Sequence, residues 1–166
     1  QYLNLLTNKP MIYLLNVDED KVNEQFDLSK LKSEVVIPVC AKIEADLAEL
    51  SKEEAAEYLT EVGIKTSGLD QIIIKAYEIL NLISFLTTGP KETRAWTITR
   101  GSSAPQAAGK IHGDFERGFI AVEVYNWKDM VDVGSEVAAK EKGLIRLEGK
   151  EYIVRDGDTC NFRFSV

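Results

Sequence analysis

Histidine, cysteine and tryptophan are scarce in this 166-residue chain, which holds one His, two Cys and two Trp. A lone histidine, with Cys40 and Cys160 far apart, leaves no ligand spacing for zinc. Two distant thiols make no disulfide framework, which fits a reducing cytoplasm. Long apolar runs are missing too. Met11–Leu15 and Ile72–Ile74 fall far short of the roughly 20 residues a membrane helix needs, and no signal peptide is visible, so no membrane partner is expected. Arginine is absent from residues 1–81, where eight lysines face 15 acids for a net charge of −7. Residues 82–166 carry six lysines and six arginines against 12 acids, a net charge of 0. The overall charge of −7 argues against a generic nucleic-acid binder, DNA included. Its uneven distribution suggests two units with different partners and leaves room for a basic face on the second.

What is present is enough apolar residue, 45%, to bury a core. Met11–Asn16 and Glu34–Val39 read as short strands buried on both faces of a parallel sheet. The polar stretch Lys21–Ser33 between them suits the crossover helix that parallel strands require. Ile43, Leu47 and Leu50 then fall at helical spacing. Ser51-Lys52-Glu53-Glu54 is a capping box that starts a second helix, which Gly63 stops. A third helix is expected from Ser67, with Asp70 in the box position and an apolar stripe through Leu69, Ile72, Ile73, Ala76 and Leu80. From Leu82 the texture changes to short strands and tight turns. Leu82–Thr87, Thr93–Thr99, Phe119–Tyr125, Leu144–Leu147, Glu151–Arg155 and Thr159–Val166 read as strands. Gln106–His112, Asp129–Val133 and Ser135–Lys142 read as short helices. Asp156-Gly157 predicts a hairpin between the last two strands. The pattern is an α/β segment, a helical connector and a compact α+β domain.

Asn16-Val17-Asp18-Glu19 stands where the first strand ends, and carboxyl ends of strands are where α/β sheets bind ligands. Asn-x-x-acid after a buried strand is the arrangement by which P-loop GTPases read a base, with the acid accepting from guanine's two donors. Here the acid is the longer Glu19 and Val17 replaces lysine, changes that weaken a guanine preference resting on matched hydrogen bonds. The second strand ends in Cys40-Ala41-Lys42, which matches the Ser-Ala-Lys loop that completes the same pocket through a backbone amide.

Three longer strings extend the comparison. Glu92–Ile98 (ETRAWTI), Ala104–His112 (APQAAGKIH) with Asp114–Ile120 (DFERGFI), and Glu148–Val154 (EGKEYIV) through Asp156–Asp158 resemble the signature of the YchF/Obg-like ATPases, over essentially the whole chain. The resemblance implies an Obg-type P-loop protein that prefers ATP to GTP, uses Mg²⁺ at the phosphates and associates with ribosomes. It implies that residues 1–50 are the C-terminal part of the nucleotide domain, 51–81 a connector, and 82–166 a TGS domain of β-grasp type. Asn16, Val17 and Glu19 then match the altered base-reading motif, and Cys40 and Ala41 the second base loop. Gly113, where threonine is usual, and Asp18 depart from the pattern away from these contacts. No Gly-x-x-x-x-Gly-Lys-Ser/Thr and no metal-binding Asp-x-x-Gly occurs, so the phosphate cradle and Mg²⁺ ligands are expected upstream. The chain alone is expected to bind nucleotide weakly and hydrolyse none. Residues 1–50 are expected to associate or to order incompletely by themselves.

Arg94, Arg100, Lys110 and Arg117 are candidates for contact with ribosomal RNA phosphate, and Trp96 for stacking on a base. Against this, Asp114 and Glu116 can neutralise the patch and Trp96 can serve the core. His112 beside Asp114 is read as structural rather than as a general base, and Cys40 as a buried, inert thiol. A second functional reading stays open, in which the TGS unit is an autonomous binding module for ribosome or protein and has no nucleotide role.

Overall fold

The computed structural model describes residues 5, 9–24, 26, 35–89 and 92–165. The chain divides into two compact units, Gln1–Leu80 and Asn81–Val166.

In the first unit, β1 (Tyr13–Asn16) and β2 (Val36–Val39) pair in parallel, with Leu14 opposite Ile37 and Asn16 opposite Val39. Parallel pairing sets both carboxyl ends on one side, so the loops after Asn16 and Val39 become neighbours. Ile37 is buried at 3% exposure, yet Leu14 is 55% exposed. This corrects the expectation of a first strand covered on both faces: among the described residues β1 pairs with β2 alone, and α3 packs on β2. The crossover helix expected over 21–33 does not begin at Lys21, where a single 3₁₀ turn, Glu19–Lys21, gives way to turns; residues 27–34 lie outside the described residues.

Three helices follow, α1 (Ala41–Glu49), α2 (Lys52–Val62) and α3 (Gly68–Ile79). Of the expected α1 stripe only Ile43 is fully buried. The capping box forms at α2, the Ser51 N–H donating to Glu54 Oε2 at 2.9 Å and the Glu54 N–H to Ser51 Oγ at 3.4 Å. Gly63 ends the helix with φ +77°, a conformation that costs glycine no Cβ clash. At α3 the Ser67 hydroxyl accepts from the Asp70 N–H at 3.0 Å, and Glu44 of α1 supplies the acid. Its carboxylate accepts from the Gly68 N–H at 2.7 Å and the Leu69 N–H at 3.2 Å. A carboxylate on the free amides of a helix start is favourable for charge and hydrogen bonding alike. Gly68 permits the approach, because a Cβ there would lie 2.9 Å from a Val39 methyl.

The second unit is a five-stranded mixed sheet in the order β4-β3-β7-β5-β6. β3 (Leu82–Thr88) and β4 (Thr93–Thr99) form an antiparallel hairpin, with Phe85 opposite Trp96 and Ile83 opposite Ile98. α4 (Ala104–Ile111) begins at a Ser103–Gln106 capping box with Pro in its first turn. Its alanines 104, 107 and 108 are buried against Ile83, Phe85, Val122 and Val124. Small side chains there let the helix sit close to the sheet. A short helix missed in the sequence, α5 (Gly113–Arg117), leads into β5 (Phe119–Asn126). α6 (Trp127–Val133), α7 (Glu136–Glu141), β6 (Arg146–Glu148) and β7 (Asp158–Phe164) complete the unit.

Glu151–Arg155 is not a strand, and the Asp156-Gly157 hairpin does not form. The segment bonds to the start of α4 instead, through Ala104 N–H to Tyr152 O at 2.8 Å and Val154 N–H to Ser102 O at 3.1 Å. The Asp-Gly turn is present but docks on β3, where the Ser84 N–H donates to Asp156 Oδ1 at 2.8 Å and the Gly157 N–H to Ser84 O at 2.8 Å. β7 therefore pairs parallel with β3 and antiparallel with β5. Its expected alternation holds at Phe162, which meets Phe85 edge-on, but Phe164, though stacked on Phe115 at 3.8 Å, is exposed; Val166 lies outside the described residues.

Candidate functional site

The loops after β1 and β2 enclose a cavity of about 390 Å³, lined by residues 16–20 and 40–42. All five residues singled out in the sequence, Asn16, Val17, Glu19, Cys40 and Ala41, are in its lining. Backbone bonds hold the walls together. The Val17 N–H donates to Val39 O at 2.9 Å, continuing the strand pairing one residue past Asn16. The Ala41 N–H donates to Asn16 Oδ1 at 3.3 Å, so the asparagine binds one loop to the other. Cys40 turns into the unit and is buried, while its backbone stands at the start of α1.

Charge at the mouth is arranged across the two loops. Lys42 Nζ donates to Glu19 Oε2 at 2.9 Å. The bond from Glu19, and then its charge, raise the Lys42 pKa above the ordinary lysine value, so the side chain stays cationic at neutral pH. Asp46, one turn along α1, accepts from the Tyr58 hydroxyl at 3.5 Å. Desolvation first, then Asp46 and Glu19, raise the Tyr58 phenol above its usual pKa. Lys42 stood in the motif string, but a side-chain partner 23 positions away gives no local signal in sequence.

The five basic-face candidates lie in the second unit. Arg94 stacks over Trp96 at 4.4 Å from guanidinium carbon to ring centroid. The indole Nε1–H donates to Thr87 Oγ1 at 2.9 Å, and the ring packs against the core. Trp96 is thus half-committed to the fold, and its open side is covered by Arg94. Arg100 and Lys110 are exposed and carry no ion pair among the described residues. Lys110 borders a groove of about 550 Å³ between β4 and α4, together with Thr97, Thr99, Ser102 and Gln106. Arg117 is held by the Asp114 carboxylate. His112 Nδ1 accepts from the Asp114 N–H at 3.2 Å, which makes it the cap of α5. No helix among the described residues is long and apolar enough to cross a membrane, and their His, Cys, Asp and Glu side chains form no group suited to a metal ion.

Solved structures share this architecture. A solved structure of the Schizosaccharomyces pombe YchF GTPase superposes with a TM-score of 0.84 at 36% identity, over 96% of this chain and 44% of that one. A GTP-binding protein from Pyrococcus horikoshii OT3, 19% identical with a TM-score of 0.54 over 79% of this chain and 38% of that one, shares the fold. Residues 82–165 match the YchF-GTPase C-terminal family, described as a protein of unknown function (DUF933), and the chain belongs to that family. Relatives named ribosome-binding ATPase YchF include those of Escherichia coli O157:H7, 46% identical over 100% of this chain, and Bacillus subtilis (strain 168), 47% identical over 99%. The chain spans about half the length of these relatives, 47% in both.

Proposed function

We propose that this chain is part of a ribosome-associated P-loop nucleotide hydrolase that prefers ATP to GTP, with residues 1–50 supplying the base-recognition loops. In this reading residues 51–81 form a connector, and 82–166 a TGS domain of β-grasp type that contacts the ribosome in the cytoplasm. The observation that carries it is the cavity at the carboxyl ends of β1 and β2, where Asn16, Val17, Glu19, Cys40 and Ala41 converge. A carboxylate accepts hydrogen bonds and a backbone amide donates them, the two functions needed to read a purine edge.

The residues of this chain do not fit the phosphates or Mg²⁺, since it has neither a Gly-x-x-x-x-Gly-Lys-Ser/Thr string nor a carboxylate group suited to the ion among its described residues. The ribosomal partner draws support from the names of the E. coli O157:H7 and B. subtilis relatives. On the second unit, Arg94, Arg100, Lys110 and Arg117 offer cations to RNA phosphate, and Trp96 a ring on which a base can stack once Arg94 swings off it. Asp114 already engages Arg117, so Arg100 and Lys110 are assigned the larger share.

Ribosome co-sedimentation at two salt concentrations tests the second unit, since phosphate contacts weaken steeply with salt. The chain is expected to pellet at low salt, to be released at high salt, and to lose pelleting when Arg94, Arg100, Lys110 and Arg117 are changed to Ala. No pelleting at either salt overturns ribosome contact by this chain. The alternative, an autonomous binding module, is favoured by the separate core of the second unit. Pelleting of a complete protein that is indifferent to ATP would select it.

A further inference from the structure

We infer that Lys42 sets the purine preference of the cavity, by occupying one oxygen of Glu19 so that adenine is accepted over guanine. The inference rests on reading the cavity as a base site. It starts from the contact between Lys42 Nζ and Glu19 Oε2, 2.9 Å long and made across the two loops. Guanine presents two parallel donors, N1–H and the 2-amino group, and a carboxylate meets them best with both oxygens in one plane. Adenine presents a single amino donor beside an acceptor nitrogen. A carboxylate with one oxygen engaged by an ammonium still has the other for adenine's amino group. For guanine the lysine must move or share its oxygen.

A second contact ties the two loops but bears on both purines. The Ala41 N–H is directed to Asn16 Oδ1 at 3.3 Å, and either purine must share or displace that bond, since adenine's ring nitrogen needs a donor as guanine's carbonyl oxygen does. Discrimination therefore rests on the Glu19 oxygen that Lys42 engages, and specificity of this kind follows from which polar groups are left unmatched. The Lys42 and Glu19 side chains are 68% and 42% exposed, so the pair is screened and its influence is bounded by what exposed pairs contribute. That bound corresponds to about a fivefold change in relative affinity. Asp18 and Asp20 stand in the same loop, so removing the lysine also adds net negative charge. That effect opposes both nucleotides alike and cancels in their ratio.

The test is titration of the ¹⁵N-labelled chain with AMP and with GMP, followed through the amide signals of Val17, Glu19 and Ala41. In the parent chain AMP should move these signals at lower concentration than GMP. Lys42→Ala should cut the AMP-to-GMP affinity ratio by about fivefold, and Lys42→Arg, which keeps the cation, should hold the ratio within about twofold by the same reasoning. The exposed position of Lys42 makes unfolding of the variant unexpected, and the remaining amide signals report on it directly. Shifts that persist with an unchanged ratio in Lys42→Ala overturn the role of Lys42 and leave the base site standing. Absence of shifts at these three amides with either nucleotide overturns the base site, and the lysine's role with it.

Discussion

Among the described residues the first unit buries three apolar side chains, Ile37, Cys40 and Ile43, whereas the second buries thirteen, Phe85, Val122 and Val124 among them. The first leaves Met11, Leu14, Leu69, Ile73 and Ile74 largely exposed. Its order rests on caps: Ser51 with Glu54, Ser67 on Asp70, and Glu44 on the start of α3. The second rests on a sheet with a helix laid across one face. The difference separates two means of holding a short chain, polar bonds at helix ends and apolar burial, and the two should fail under different insults.

The sharpest way to break that contrast is Phe85→Ala. Emptying a fully buried aromatic site should cost about 3–5 kcal/mol and collapse amide protection across residues 82–165, with little change at α1 to α3. Equal loss in both units by hydrogen exchange would deny their independence. Next in size is a pair of glycines. A Cβ at Gly118 meets the Ser165 carbonyl oxygen, so Gly118→Ala should cost about 1–3 kcal/mol of urea stability in the second unit. Gly68→Ala meets the Val39 methyls and the Glu44 carboxylate that caps α3, and gained helix propensity offsets only part of that, so it should cost about 1 kcal/mol.

Glu44→Ala removes the acceptor for two amides at the start of α3 and should cost about 1 kcal/mol, read as faster exchange at Gly68 and Leu69. The smallest effect concerns pH. Burial, and then the hydrogen bond to Asp158, push the Tyr152 phenol up to about 12, while an unfolded tyrosine ionises near 10. The folded chain thus holds this proton more tightly. Its contribution is complete below pH 10 and is lost as pH climbs toward 12. Urea midpoints of the second unit should fall over that interval, and Tyr152→Phe should flatten the fall.

The elements most legible in the sequence were those whose signals are local. The Ser51 box and the β3–β4 hairpin each specify their geometry within a few residues, whereas α4, read as starting at Gln106, begins at Ala104 after the Ser103 cap. The strand reading of Glu151–Arg155 failed because its apolar residues, Tyr152, Ile153 and Val154, serve a loop bonded to Ser102 and Ala104. A short apolar run does not say which backbone will partner it. The buried Asp158 was equally hidden: its Oδ2 accepts from both the Tyr152 hydroxyl at 2.7 Å and the Arg155 N–H at 2.8 Å. At the cavity, the loop residues could be read from their places after two strands. The Lys42–Glu19 contact could not, because it exists only once β1 and β2 are side by side.

The position of β7 has a consequence for how the protein is born. The second unit is threaded so that its latest strand, Asp158–Phe164, is inserted between its earliest, β3, and β5. During synthesis the β3–β4 hairpin, α4 and β5 are translated first, around a vacant central slot. They can meet loosely, but the sheet cannot close until residue 164 has cleared the exit tunnel. Closure across that separation is slow by the ordinary relation between contact order and folding rate. Two strand edges thus stay unpaired until then, the kind of exposure that makes incomplete chains prone to aggregate.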